Sequence, residues 1–273
     1  MASRYAAIGN PIGHTKSPLI HQEFARQTGQ EITYEAILAP LDGFAAVVEE
    51  FRSRGGRGAS VTAPFKLEAF SLATDLTDRA RIAGAVNVLK FEGNEILADN
   101  VDGAGLIRDI QANLGFSLRG ARILLLGAGG AARGTLLPLL QQEPRLLAIA
   151  NRTVLKAQAL QEQFSRYGNI TAGGYPDIAD EAFDLVINAT SASLRGETPS
   201  VPQAAFIHCG LAYELVYGKG LTPFLRFARE SGARRLADGT GMLLEQAAES
   251  FFIWRGIRPE TRALIQKMAG PLV

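Results

Sequence analysis

The chain has 273 residues, of which 47% are hydrophobic and 20% are charged, and its formal net charge is +1. This balance is ordinary for a globular protein and argues against a nucleic-acid surface or a membrane-attracting face. No apolar run is long enough to span a bilayer, and the first residues lead directly into a strand pattern. Cys209 is the single cysteine, which excludes an intrachain disulfide and a thiolate cluster for zinc. We therefore expect a cytoplasmic protein with no metal site and with no nucleic-acid or membrane partner.

In the first part of the chain, short apolar runs alternate with helical patterns. The predicted strands cover residues 4–9, 32–38 and 58–62, and the predicted helices cover residues 18–28, 42–54, 65–73 and 78–82. A hairpin over residues 86–91 and 95–98 turns at Gly93 and Asn94. A helix over residues 102–114 then leads to a boundary near residues 115–120.

A second series of strands and helices begins at residue 121. The predicted strands cover residues 122–126, 146–150, 184–188, 211–216 and 235–237, and the predicted helices cover residues 130–142, 154–167, 222–231, 242–254 and 259–268. Strands separated by helices predict parallel sheets with crossover helices, and hence a doubly wound α/β fold.

The buried strand that ends at Leu126 is followed by a G-x-G-x-x-A turn that opens a helix. Gly127 permits the tight turn, Gly129 lets the backbone approach a pyrophosphate, and Ala132 allows close packing of helix on strand. The free N–H groups at the helix start would then face the anion. The pattern favours a dinucleotide site over the alternative, a merely tight strand-to-helix turn.

The end of the next strand indicates which nucleotide binds. NAD enzymes carry an acidic residue there, which accepts hydrogen bonds from the ribose 2′-hydroxyl, but this strand ends in Asn151-Arg152-Thr153. Arg152 offers a planar guanidinium for a 2′-phosphate and can stack on the adenine. The alternative is a solvated loop arginine. We expect the cofactor to be NADP.

Two segments of the first hundred residues carry more polar groups than structure alone requires. Thr15 and Ser17 lie at a helix start, where hydroxyls and free N–H groups could bind a carboxylate; the alternative is that Ser17 simply caps the helix. Lys66 follows a strand end and Asp102 opens a later helix, and each alone would be assigned a structural place. Beside a nucleotide site, however, a lysine held by an aspartate could supply the proton and the positive charge that hydride transfer to a ketone requires.

These residues belong to a series of motifs that resembles the shikimate dehydrogenase family from about Tyr5 to about Pro259. The motifs are Gly9-Asn10-Pro11 with Lys16-Ser17-Pro18, Val61-Thr62 with Pro64-Phe65-Lys66, Ala83-Gly84-Ala85-Val86-Asn87, Asp99-Asn100 with Asp102-Gly103, Gly127–Ala131, Asn151-Arg152-Thr153, Asn188-Ala189-Thr190-Ser191, Tyr217, and Asp238-Gly239 with Gly241-Met242-Leu243. Several independent motifs in one order are hard to produce by chance.

The resemblance implies an N-terminal α/β substrate domain and a doubly wound Rossmann domain that binds NADP, with a cleft between them. Residues 1–101, completed by C-terminal helices in residues 241–273, would form the substrate-binding catalytic domain, and residues 102–240 would form the Rossmann domain. The implied reaction is the reversible, NADP-dependent interconversion of 3-dehydroshikimate and shikimate. The expected partner is thus a small cyclic hydroxy or keto acid, and we expect a monomer or a homodimer.

The resemblance also implies roles for individual residues. Lys66 and Asp102 would be the catalytic acid–base pair. The substrate would be held by Thr15, Ser17, Thr62, Asn87, Tyr217 and Gln246. The cofactor would be lined by Gly127, Ala128, Gly129, Gly130, Ala131, Asn151, Arg152, Thr153, Lys156, Thr190, Leu215 and Gly239.

Thr15 stands where the family usually has serine, and four further positions depart from the family pattern. Ser60, Val88 and Val101 stand where the family usually has Asn, Thr and Thr, and Glu214 stands where it usually has Asp. The first three are expected to lose polar groups near the pocket, and one lost buried hydrogen bond costs about 1–3 kcal/mol. They favour, as alternatives, a shikimate dehydrogenase-like enzyme acting on quinate or an aminoshikimate-type acid. A non-catalytic nucleotide- or metabolite-sensing module is the third hypothesis.

Overall fold

The computed structural model describes residues 2–218 and 220–272, and the chain divides into two compact units. The first unit comprises Met1–Gly105 and Leu244–Leu264, and the second comprises Leu106–Leu243 and Ile265–Val273. The predicted domain limits stay a prediction; compared with them, residues 102–105 group with the first unit, and residues 241–243 and 265–273 group with the second.

The first unit is built on a mixed sheet. Its strands are β1 (Ser3–Gly9), β2 (Ile32–Leu38), β3 (Gly56–Val61), β4 (Asp75–Leu76), β5 (Val88–Glu92) and β6 (Glu95–Asp99), in the order β2-β1-β3-β5-β6-β4. The helices α1 (Ser17–Thr28), α2 (Phe44–Ser53), α3 (Lys66–Leu72) and α4 (Asp78–Ala83) lie between them, and α5 (Asp102–Arg108) follows β6. Strand β5 runs antiparallel to both neighbours, which confirms the predicted hairpin, while β1 with β2, β1 with β3 and β4 with β6 pair in parallel. The hairpin β5–β6 reverses the chain direction.

Apolar side chains and two close backbone approaches fix the first unit. Phe44 and Phe65 stack face to face with ring centroids 4.8 Å apart, and each fully buried side chain of this kind contributes about 1.5–3 kcal/mol. A Cβ at Gly9 would collide with the Thr62 side chain, and the N–H of Asn10 donates to the Ala63 carbonyl at 3.1 Å. The loops that follow β1 and β3 therefore lie side by side.

A second aromatic cluster of this unit encloses His21. The His21 ring stacks on Tyr34 with centroids 4.2 Å apart and lies 5.3 Å from the Trp254 ring. The Trp254 indole N–H donates to the Leu89 carbonyl at 2.9 Å, whereas Nδ1 of His21 has no hydrogen-bond partner within the described residues. Burial lowers the pKa of His21 to about 3, because a charged imidazolium cannot be solvated there.

This burial predicts acid sensitivity. The folded-state pKa of His21 lies below its unfolded value, so the unfolded chain binds the extra proton and stability falls as the pH drops below about 6.5. Relative to a His21→Phe variant, we expect the free energy of unfolding to fall by about 1.4 kcal/mol per pH unit between about pH 6 and pH 4. Urea unfolding of both proteins at each pH measures the free energy of unfolding. A variant of the exposed His208 should keep the parent's pH dependence, and parallel curves for parent and His21→Phe would contradict the prediction.

The second unit is built on a wholly parallel sheet. Its strands are β7 (Arg122–Leu126), β8 (Leu146–Ala150), β9 (Ile170–Gly173), β10 (Leu185–Asn188), β11 (Leu211–Glu214) and β12 (Leu236–Ala237), in the order β12-β11-β10-β7-β8-β9. The helices α6 (Gly130–Leu140), α7 (Val154–Phe164) and α8 (Pro223–Glu230) lie between them. The helices α9 (Thr240–Arg255) and α10 (Arg262–Met268) follow β12, and the stretch Leu244–Leu264 groups with the first unit. The order confirms the predicted Rossmann fold, in which a crevice forms between β7 and β10, where the chain reverses its direction across the sheet.

The predicted helix over residues 102–114 changes its winding after α5. Residues Asp109–Asn113 form a π-helical turn, a rare geometry that accommodates one extra residue per turn. The hydroxyl of Tyr213 donates to the Asp109 carboxylate at 2.6 Å, and a Cβ at Gly241 would overlap that carboxylate. The π-helical turn therefore begins at the residue that contacts Tyr213 on β11 and Gly241 on α9.

The core of the second unit contains Cys209. Its thiol is fully buried and donates to the Leu211 carbonyl at 3.1 Å. Burial raises its pKa to about 12. Within the described part of the chain, no helix is both long and apolar enough to cross a bilayer.

Candidate active site

The first unit brings Lys66 and Asp102 together. Lys66 is the first residue of α3, shortly after β3, and Asp102 is the first residue of α5, shortly after β6. The Lys66 ammonium donates to Oδ2 of Asp102 at 2.5 Å, and the side chains are 20% and 5% exposed. Such a pair is short and charge-assisted. Its lysine retains access to solvent, while its carboxylate is almost buried.

Asn87 fixes the other side of the carboxylate. Its amide nitrogen donates to Oδ1 of Asp102 at 2.8 Å and lies 3.5 Å from Oε1 of Gln246. Its amide oxygen accepts from the backbone N–H of Val101 at 2.9 Å. Both oxygens of Asp102 are therefore engaged, and four of the residues predicted for the site share one hydrogen-bonded group: Lys66, Asn87, Asp102 and Gln246.

Thr15 and Ser17 lie at the start of α1. The Thr15 hydroxyl donates to Oγ of Ser17 at 3.0 Å and accepts from the Ser17 backbone N–H at 3.3 Å. Ser17 is the first residue of the helix, and Lys16 occupies the capping position without a side-chain hydrogen bond. The alternative that Ser17 caps α1 is therefore wrong. Thr15 and Ser17 are half-buried, and Thr62, directly after β3, is exposed.

The departures from the family pattern are compensated within the first unit. The hydroxyl of Tyr34 donates to Oγ of Ser60 at 2.9 Å, and burial, only partly opposed by hydrogen bonds with Ser60 and Ser17, raises the pKa of Tyr34. Val88 and Val101 pack in a buried apolar cluster with Tyr5 and Trp254. The methyl groups of Val88 and Val101 are thus buried against apolar neighbours, and Ser60 keeps a polar partner.

The glycine turn of the second unit has the geometry that a phosphate loop needs. Gly127 has a φ of +107°, and a Cβ there would approach the Thr190 methyl to 3.1 Å, so a side chain is disfavoured twice. Apart from chain neighbours and the backbone of α6 itself, no atom of the described residues would lie within 4 Å of a Cβ at Gly129 or Gly130. The space above the first turn of α6 is therefore open, and its free N–H groups can meet an anion.

A pocket of about 550 Å³ opens at this turn. Ten of the twelve residues predicted for the cofactor line it: Gly127, Ala128, Gly129, Gly130, Ala131, Asn151, Arg152, Thr153, Lys156 and Thr190. The described lining does not include Leu215 or Gly239; these two approach each other, because a Cβ at Gly239 would collide with the Leu215 carbonyl. Their predicted contact with the cofactor stays a prediction, as does the substrate role of half-buried Tyr217, whose pKa burial raises.

The pocket also has lining residues that the sequence reasoning missed. They are Tyr175, Ala189, Ser191, Ala192, Arg195, Glu197, Thr198, Pro199 and Ser200. Most lie in the loop after β10, the strand next to the glycine strand. Arg195 and Glu197, a basic and an acidic residue shortly after the Asn188–Ser191 motif, were the feature of the sequence that could have indicated this part of the pocket.

Buried Glu214 connects that loop to the sheet. Its Oε2 accepts hydrogen bonds from Asn188 at 3.1 Å, Ser193 at 2.5 Å and Thr222 at 3.2 Å. The oxygen of the same Asn188 amide accepts from the N–H and the hydroxyl of Thr190, at 3.0 and 2.7 Å. Burial raises the pKa of Glu214, opposed by its hydrogen bonds. Glu214 thus stabilises the loop that lines the pocket, through its hydrogen bonds with Asn188 and Ser193.

We expect Glu214→Ala to lower the free energy of unfolding by about 2 kcal/mol, because three side-chain donors lose their acceptor in a buried place. Denaturant unfolding followed by circular dichroism measures the change. Glu230→Ala, at an exposed position at the end of α8, is the matched control and should leave stability within about 0.5 kcal/mol of the parent. Equal midpoints for the two variants would refute the supporting role.

The second unit has the arrangement of the dinucleotide-dependent oxidoreductases. It combines a parallel sheet, a glycine turn after β7 and a basic residue, Arg152, after β8. Comparison with known proteins narrows this class. Residues 7–89 match the shikimate dehydrogenase substrate binding domain, residues 109–198 match shikimate / quinate 5-dehydrogenase, and residues 239–268 match the shikimate 5′-dehydrogenase C-terminal domain. The chain belongs to the shikimate dehydrogenase family.

Individual relatives cover the whole chain. A shikimate dehydrogenase (NADP(+)) of Nitrosospira multiformis is 60% identical over 272 residues, which is 100% of this chain and 99% of that protein. The crystal structure of an Ael1 enzyme from Pseudomonas putida is 55% identical, with a TM-score of 0.96 and full coverage of both chains. The Thermus thermophilus shikimate 5-dehydrogenase in complex with NADP(H) and shikimate is 30% identical, with a TM-score of 0.86 and 97% coverage of each chain.

Proposed function

We propose that this protein interconverts 3-dehydroshikimate and shikimate with NADP(H). The observation that carries the proposal is the 2.5 Å pair of Lys66 and Asp102, in a chain 60% identical along its length to a shikimate dehydrogenase (NADP(+)). A nearly buried carboxylate that holds a partly exposed ammonium matches the chemistry of ketone reduction.

The pocket of the second unit fits the cofactor. Gly129 and Gly130 leave open space at the start of α6 for a pyrophosphate, and Arg152 and Lys156 line the same pocket for a 2′-phosphate. When bound, NADPH supplies the hydride that the substrate carbonyl carbon accepts.

Lys66 then acts as the general acid that donates the proton. When the carbonyl carbon gains a hydride, its oxygen becomes an alkoxide, and the Lys66 ammonium gives it a proton. Asp102 accepts a hydrogen bond from the ammonium and keeps it oriented, and Asn87 holds Asp102 in place. In the oxidising direction the neutral amine takes the hydroxyl proton.

The remaining polar residues bind the acid. We assign Thr15 and Ser17, together with Tyr217, to the carboxylate, and Thr62, Asn87 and Gln246 to the ring hydroxyls. The hydroxyl pair of Thr15 and Ser17 at the start of α1 supports this assignment, because a helix N-terminus favours an anion. The protein is further proposed to be cytoplasmic, and a monomer or homodimer, which light scattering after size exclusion can measure.

The test is the initial rate of formation of the reduced cofactor, NADPH or NADH, with shikimate and with quinate, each with NADP and with NAD. The proposal expects shikimate with NADP to give the highest kcat/KM. Packing of Val88 and Val101 among apolar neighbours gives no reason for a remodelled pocket. A higher kcat/KM with quinate would replace shikimate by the alternative substrate, and tight binding in calorimetry without turnover of either acid would favour the sensing module.

A further inference from the structure

Among the described residues that line the nucleotide pocket, one has an acidic side chain. Glu197 lines the pocket together with Arg152, Lys156 and Arg195. A carboxylate in this place works against a 2′-phosphate, because like charges repel across a short distance. In NAD enzymes, a carboxylate at the ribose is the feature that favours the 2′-hydroxyl. The pocket therefore carries a group of the wrong sign for the proposed cofactor.

Arg195 holds this carboxylate. Its Nε and one terminal nitrogen donate to Oε2 of Glu197 at 3.2 and 3.0 Å, and its other terminal nitrogen donates to Oγ of Ser191 at 3.0 Å. The guanidinium is thus fixed at both ends, within the loop that follows β10. Arg195 is the main cause that lowers the pKa of Glu197, and Arg152 contributes in the same direction, so Glu197 also lies within the electrostatic range of Arg152.

We propose that Arg195 determines cofactor specificity through Glu197: it neutralises the carboxylate and keeps it from pairing with Arg152. The inference rests on the proposed use of NADP. Without Arg195, Glu197 would be left with Arg152, the other basic residue whose charge acts on it, and the guanidinium that the 2′-phosphate needs would be occupied. The freed carboxylate would also be able to accept a hydrogen bond from the 2′-hydroxyl of NAD. Arg195 is thus a positioning residue, while Arg152 contacts the phosphate.

A double-mutant cycle separates this role from direct phosphate binding. The dissociation constants of NADPH and NADH are measured by quenching of protein fluorescence for the parent, Arg195→Ala, Glu197→Gln and the double variant. For Arg195→Ala we expect NADPH to bind about 5- to 10-fold more weakly while NADH is unchanged or tighter. Glu197→Gln should bind NADPH at least as well as the parent. The double variant should return to within about 2-fold of the parent, because no carboxylate remains to compete.

The outcomes are distinct. Arg166 stacks on Tyr167 at 5.0 Å and is absent from the described lining of the pocket; Arg166→Ala is therefore the matched control for loss of one positive charge and should leave both constants unchanged. If NADPH stays weak in the double variant, Arg195 acts directly on the phosphate and the inference is wrong. An unchanged Arg195→Ala variant would also overturn it. If the parent itself does not prefer NADPH to NADH, the proposed function fails as well, and the parent measurement alone identifies that case.

Discussion

Lys66→Ala should lower kcat for 3-dehydroshikimate reduction by about 100- to 10,000-fold, the range that general acid catalysis contributes. The alkoxide would then have to take its proton from water, without a positive charge beside it. Because the ammonium acts mainly on the charge that develops during the reaction, KM should change much less than kcat. Stopped-flow or steady-state absorbance of NADPH measures both constants.

Lys90→Ala is the matched control for Lys66→Ala. Lys90 lies on β5 in the same unit and pairs with Glu92 at 2.6 Å, so its removal deletes a lysine and an ion pair away from Asp102. We expect parental kcat for this variant. Thermal unfolding of both variants shows whether a loss of activity reflects a loss of folding. A folded Lys66→Ala variant with parental kcat would remove Lys66 from the mechanism.

Arg152→Ala should weaken NADP binding by about 10- to 100-fold, since a hydrogen bond to a charged group contributes about 1.5–3 kcal/mol. NAD lacks the 2′-phosphate, so its affinity should change little. The preference for NADP is therefore expected to fall by nearly the same factor. The measurement is kcat/KM for each cofactor at saturating shikimate, repeated at raised ionic strength, where the parent's advantage should shrink.

Arg152→Lys sharpens this experiment. Lysine retains the charge but lacks the planar, bidentate guanidinium, so an intermediate preference indicates that geometry contributes beyond charge. Equal losses for NADP and NAD in Arg152→Ala would instead indicate that Arg152 supports the pocket as a whole. That result would contradict the assignment of Arg152 to the 2′-phosphate.

Most of the fold could be predicted because, along much of the chain, the hydrophobic periodicity and the positions of the glycines indicate the same limits for strands and helices. Residues 32–38 and 146–150 were predicted as strands with their observed limits, β2 and β8. Strand β9 was missed, because Ile170–Gly173 is short and ends in glycine. The antiparallel pairing of β3 with β5 could not be read from the chain either, since it depends on which edge of the sheet the hairpin joins.

The site was partly predictable for a different reason. Lys66 and Asp102 lie 36 residues apart in sequence, and their pairing was indicated by the presence of a nucleotide site and by their place in a series of family motifs. The structure joins them directly. Glu214 could not be assigned its role, because its partners Asn188, Ser193 and Thr222 come from three separate segments. The contacts of Arg195 with Ser191 and Glu197 could not be predicted either, because they depend on the conformation of the loop that follows β10.

The buried thiol of Cys209 has a practical consequence. A thiol with a pKa near 12 and no solvent access is almost entirely unreactive toward maleimides at neutral pH. A cysteine introduced at Leu155, which is 77% exposed on α7 between two residues of the nucleotide pocket, would then be labelled alone. A dye at that position would report nucleotide arrival in real time, with the native cysteine left in place.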